Sequence, residues 1–121
     1  MGNFRKLEVW ELAIELTIHI YSITQSGRFS KDFDLSNQIR KAVVSIASNI
    51  AEGDESGSNP SSIRYFNIAK GSSAEVQTQA IIAHKIGYIS QGERTEIIRQ
   101  CETISKKLVS LIKYRAHKKT R

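Results

Sequence analysis

Four stretches of this chain place apolar residues three and four positions apart, the spacing that lines one face of an α-helix. In the first, about residues 7–25, Val9, Leu12, Leu16, Ile20 and Ile23 make one stripe, and Leu7, Trp10, Ile14, Ile18 and Tyr21 make a second beside it. In the second, about residues 35–52, Leu35, Ile39, Val43, Ile46 and Ile50 form the stripe, and Val44, Ala47 and Ala51 form an extra edge. The third, about residues 61–86, carries Tyr65, Ile68, Ala69, Ser72, Val76, Ala80, Ala83 and Ile86 on its expected core face, with Ile63, Ala74 and Ile81 on the far side. The fourth, about residues 91–115, has one stripe only: Ile97, Cys101, Ile104, Leu108 and Leu111.

Residue types at the boundaries agree with these spans. Asp34 is placed to cap the second helix and Gly53 to close it. Gly27 and Gly87 end the first and third helices, Asn59-Pro60 starts the third, and Ser90 with Glu93 reads as a capping box for the fourth. Phe29 and Phe33 are expected to pin the first loop to the bundle end. Gly71 falls inside the third helix at a cost of about 1 kcal/mol relative to alanine, for which close helix packing is the expected compensation. No strand candidate survives. The fold expected is all-α: a single-domain antiparallel up-down-up-down four-helix bundle over residues 1–121, with a basic tail at 116–121.

An amphipathic surface helix needs one apolar stripe of little more than about 100°. The first three helices exceed that and the fourth does not. The surplus predicts a homo-oligomer in which Leu7, Trp10, Ile14, Tyr21, Val44, Ala47, Ala51, Ile63 and Ile81 meet other copies, leaving the fourth helix outermost.

Charge sharpens this arrangement. Residues 1–92 hold nine Lys/Arg and nine Asp/Glu, whereas residues 93–121 hold nine against three, the entire net charge of +6. Arg99, Lys106 and Lys113 recur every seven residues, one line down a helix, and Lys107, Arg115, Lys118, Lys119 and Arg121 add to the same end. A one-sided basic end suggests phosphate partners, RNA or DNA, with little sequence choice.

Catalytic chemistry is thinly represented. The three histidines share no motif, the chain has no Glu-x-x-His of the di-iron bundle kind, and one cysteine makes no zinc cluster. Cys101 lies on an apolar stripe, where burial keeps a thiol protonated. No catalytic residue, metal or cofactor is therefore expected. A single cysteine, no run of about 20 apolar residues and no signal-peptide core point to a cytoplasmic protein outside the membrane. Asn49, Glu52, Ser72, Glu75 and Gln79 sit at or beside packed faces and are expected to form a structural polar network.

Three segments in order, Leu7-Glu-Val-Trp10, Gln38-Ile-Arg-Lys-Ala-Val-Val-Ser-Ile-Ala-Ser-Asn-Ile-Ala-Glu-Gly53 and Ile68-Ala-Lys-Gly-Ser-Ser-Ala-Glu75, resemble the small, ribosomal-protein-like four-helix-bundle family encoded by intervening sequences of bacterial 23S rRNA genes. The resemblance implies a ring-like homopentamer of such bundles. It also implies nucleic-acid binding, since the related accessory variability proteins of diversity-generating retroelements bind nucleic acid. Three functions compete on these residues: a non-enzymatic nucleic-acid-binding oligomer, an adaptor whose basic ridge docks an acidic protein, and an enzyme using Glu52 and Glu75 as acid and base.

Overall fold

The computed structural model describes residues 2–118. Four helices carry them: α1 (Glu8–Thr24), α2 (Phe33–Glu55), α3 (Asn59–Lys85) and α4 (Gln91–His117), with short 3-10 turns at Phe4–Lys6 and Phe29–Lys31 and no strand among the described residues. They pack as a four-helix bundle. α3 makes the most extensive contacts, with α2 and with α4, and α1 packs against both of those helices. No helix among the described residues is long and apolar enough to cross a membrane.

Each helix buries a seam whose spacing alternates between three and four. It runs Val9, Ala13, Leu16, Ile20 in α1; Ile39, Val43, Ile46, Ile50 in α2; Ser62, Phe66, Ala69, Ser73, Val76, Ala80, Ala83 in α3; and Ile97, Cys101, Ile104, Leu108 in α4. Alternating spacing keeps one seam turned toward the neighbours along the whole length. A large apolar side chain fully buried there contributes roughly 1.5–3 kcal/mol.

The α3 seam lies elsewhere than the hydrophobic count predicts. Ile68 and Ile86 are exposed and Tyr65 is half-buried, while Phe66 and Ser73 take the interior. The reason is steric. α3 is gripped from two sides, and small residues at most seam positions let both neighbours approach. The adjacent Ser72 and Ser73 serve one neighbour each: Ser72 Oγ lies 2.8 Å from Ser45 Oγ of α2. Ser73 Oγ donates to the Cys101 carbonyl of α4 at 3.2 Å and accepts from Ser105 Oγ at 3.2 Å.

Helix ends depart from expectation in instructive ways. Asp32, two residues before Asp34, caps α2: its Oδ1 accepts from Leu35 N at 3.0 Å. That carboxylate also accepts from the Tyr88 hydroxyl at 2.9 Å, tying the first loop to the α3–α4 connection. Phe29 is buried beneath Tyr88 as expected, but Phe33 is not: it is 73% exposed. Ser58 caps α3, placing Asn59 and Pro60 inside its first turn. Gly87, at φ +87°, closes α3: Gly87 N bonds His84 O and Tyr88 N bonds Ala83 O, a Schellman motif. The Ser90–Glu93 capping box is present.

Gly53 does not close α2. It sits inside the helix, where a Cβ would lie 2.6 Å from Phe66 Cε1 and 2.8 Å from Cδ1. Its role is to let the Phe66 ring come close against the α2 backbone. Gly71 is the opposite case. A Cβ there would meet nothing within 4 Å, so close packing does not compensate for it. The same substitution therefore has opposite signs at the two positions. Gly53→Ala is expected to destabilise by about 1–3 kcal/mol through overpacking, and Gly71→Ala to stabilise by about 0.5–1 kcal/mol. Urea denaturation of the two variants beside the wild type measures both.

Candidate nucleic-acid interface

The outer face of α4 follows from its inner one. With Ile97, Cys101, Ile104 and Leu108 buried, residues half a turn away must face solvent, and Arg99, Lys106, Ser110, Lys113 and His117 are all exposed. They fall within a narrow strip at about 100° per residue. Lys106 and Lys113 take part in no ion pair among the described residues.

Other basic residues on this helix are partly or wholly committed. Arg99 forms a two-pronged pair with Glu96 one turn earlier, its Nε donating at 2.9 Å. That hydrogen bond, with the guanidinium charge behind it, holds the Glu96 carboxyl below its ordinary range. Lys107 reaches across to α1 and donates to Glu8 Oε1 at 2.7 Å. Lys118 places its Nζ 5.4 Å from the Tyr114 ring centroid. Lys119 and Arg121, expected in the same basic end, lie outside the described residues.

Arg115 leaves the phosphate-binding set. Its side chain is only 10% exposed; one nitrogen donates to Ser62 Oγ at 2.9 Å and another to Asp54 Oδ1 at 3.4 Å, and Asp54 is itself 9% exposed. Ser62 Oγ donates in turn to the Gly53 carbonyl at 2.6 Å. The cluster ties the end of α2, the start of α3 and the end of α4 together. Sequence reasoning missed it because Arg115 stands in a run of cations. The signal was available: the stripe 97, 101, 104, 108, 111 continues at the next step of four to residue 115, so Arg115 stands on the inner face.

The expected polar network is present in part. Asn49 Nδ2 donates to Ser45 O at 2.8 Å and to Ser45 Oγ at 3.0 Å, and Ser45 meets Ser72. Gln79 lies beside this group with its Oε1 buried and unpartnered among the described residues. Glu52 and Glu75 are not members. Both are exposed and line separate grooves, Glu52 with Phe4, Ser48 and Glu55, Glu75 with Gln38, Lys41 and Gln79. They do not face one another as acid and base. The described residues contain no group of three or more His, Cys, Asp and Glu placed to hold a metal.

Among the residues expected at subunit contacts, Tyr21 and Val44 are exposed. Ile63, Ile81 and Ala51 are half-buried, and Leu7, Trp10 and Ile14 pack partly against their own core. Ala47 is withdrawn from the set: at 8% exposure it lies inside its own bundle. Ile18, Ile68 and Ile82 are more exposed than most of those named.

Two consequences can be measured. Arg115→Ala leaves the Asp54 carboxylate buried without its partner and is expected to cost about 3 kcal/mol, whereas Lys113→Ala should change stability by no more than about 0.5 kcal/mol; equal, small effects in urea denaturation would refute the division between inner and outer cations. Burial pushes the Cys101 thiol up to about 12. The folded protein at mildly alkaline pH should therefore react with an aromatic disulfide reagent only as it unfolds, which absorbance of the released thiolate reads directly.

The model of the 23S rRNA-intervening sequence proteins matches residues 5–110. A crystal structure of a protein of unknown function from the S23 ribosomal protein family of Bacteroides thetaiotaomicron is similar with a TM-score of 0.79 at 27% identity, the match covering 87% of this chain and 98% of that one. No curated protein matches the chain. With most of its length inside the family model and a four-helix bundle to match, the chain belongs to the 23S rRNA-intervening sequence protein family.

Proposed function

We propose that this protein is a non-enzymatic, oligomeric scaffold that binds RNA or DNA through phosphates along the outer ridge of α4. The observation that carries the reading is the contrast along that helix. Arg115, Arg99 and Lys107 are engaged within the chain, yet Lys106 and Lys113 stand seven residues apart, exposed and unpaired among the described residues, with His117 in line beyond them. Evenly spaced, unneutralised cations on a rigid element suit a polyanion and read no base edges. The family's name associates it with 23S rRNA, which agrees with a nucleic-acid partner.

The bundle is taken as antiparallel and up-down-up-down. Cross-helix pairs support this: Ser45 meets Ser72 while Gly53, further along α2, meets Ser62, earlier in α3. Ser73 meets Ser105 while Ser62 meets Arg115, the same reversal between α3 and α4. Assembly into a ring-like homo-oligomer is supported by exposed Ile18, Tyr21 and Val44 on α1 and α2 and by Ile68 and Ile82 on α3. Two separate apolar strips suit head-to-tail contacts that close a ring, with five copies by the family resemblance. The buried, unpaired Cys101 suits a reducing, cytoplasmic setting.

The test is a binding titration by fluorescence anisotropy between about 50 and 200 mM salt, with light scattering on the same samples. Affinity should fall steeply with salt, and Lys106→Gln with Lys113→Gln should make the log–log slope shallower by about 2 per contacting copy. The mass should be a multiple of the 13.6 kDa chain. Salt-insensitive binding, or a single-copy species that binds as tightly, would overturn the reading.

A further inference from the structure

The basic ridge of α4 borders a feature that phosphate binding does not require. Tyr114 is 59% exposed, one turn beyond Ser110 and beside Lys113. Lys118 sits over its ring at 5.4 Å. Lys118 follows just past the helix end, and Lys107, Leu111 and Tyr114, at spacings of four and three, share one side of α4, the side turned toward α1. Along it runs a groove of about 330 Å3 lined by Leu7, Val9, Leu111, Ser110 and the Lys107–Glu8 ion pair. An apolar-floored groove thus lies along the helix face that presents the ring, with the Lys106–Lys113 line on the adjacent outer face.

We infer that Tyr114 is a stacking platform for an unpaired base and that the ligand class of this surface is single-stranded nucleic acid rather than duplex. The inference rests on the phosphate-binding reading of the α4 ridge. Lys106 and Lys113, about 10 Å apart along the helix, hold phosphates of one strand on the outer line, and a base between them turns toward α1 and covers the ring. Lys118 occupies one face of the ring, which strengthens stacking on the other by cation–π polarisation. A duplex keeps its base faces inside its own stack and meets the same helix with phosphates alone. A protein partner would need acidic residues to answer the lysines.

The experiment compares three probes of equal length and charge on the full chain: a single-stranded oligonucleotide, a hairpin duplex, and an abasic sugar-phosphate strand. Tyr114→Ala should weaken the single strand about tenfold, within the range for loss of one stacked base, and leave the hairpin and abasic strand unchanged. Tyr114→Phe should restore the wild-type affinity. Tyr114 is exposed, so thermal unfolding of the alanine variant should match the wild type, separating lost stacking from lost fold. Equal weakening of all three probes, or of none, overturns the stacking role. In that event the phosphate reading still stands if Lys106→Gln with Lys113→Gln weakens all three. Failure of every probe to bind the wild type overturns both.

Discussion

The bundle depends on how closely its neighbours can approach α3. Five of its seven seam positions hold serine or alanine, and only Phe66 and Val76 are large. A helix edged in this way offers little hydrophobic area of its own; what it offers is distance. Isoleucines of α2 and α4 share the core with those small residues, and the serine hydroxyls, which close approach would otherwise strand, find backbone carbonyls. Ser73 reaching the Cys101 carbonyl and Ser62 reaching the Gly53 carbonyl are two such bonds. The one ring on the seam, Phe66, then has to lie on a glycine. Gly53 is thus a packing requirement imposed by α3 on α2, not a property of α2 alone.

That constraint also sorts the cations. α3 begins at Ser58–Asn59, close to where α2 ends and α4 finishes, so the three termini converge at one end of the molecule. A residue on the inner face of α4 at that level is enclosed, and the chain places Arg115 there with Asp54 as its counterion. The outer face of the same helix is open among the described residues, and Lys106 and Lys113 remain there. Net charge alone treats these groups as equivalent. Geometry divides them: Arg115 closes the fold, Arg99 and Lys107 pair with carboxylates, and Lys106 and Lys113 face solvent.

The helices, the capping box at Ser90–Glu93 and the glycines at 27 and 87 were legible because each rests on local rules: three-to-four spacing, a side chain reciprocating a backbone bond, a positive φ. The α3 face was not. Hydrophobic counting ranks Ile68 and Ile86 above Ser62 and Ser73, and only the presence of two neighbours reverses that order. Asp54–Arg115 was illegible for a similar reason, since its partners are about 60 residues apart and each looks like ordinary surface charge. Glu52 and Glu75 went the other way: a helical wheel puts them near packed faces, but the grooves there are wide enough for both to reach water. The oligomeric surplus was read from stripe width, and it shrinks once Ala47, Leu7, Trp10 and Ile14 are seen to pack on their own core. What remains, at Ile18, Tyr21, Val44, Ile68 and Ile82, is narrower but lies in two separate places.

Those two strips bear on function because the ridge of one copy is electrostatically modest. On the proposed reading, Lys106 and Lys113 of one copy would meet about two phosphates, and a contact of that size is sensitive to physiological salt and weak alone. Multiplying the ridge around an assembly changes the regime: after the first contact, later ones are made at an effective concentration set by the spacing of copies, and avidity rises by orders of magnitude without any new kind of contact. On the proposed function, binding and assembly would therefore be coupled. A chain that kept its lysines but stayed single would be a poor ligand-binding protein, and a ring that lost them would present an outer surface with nothing to hold.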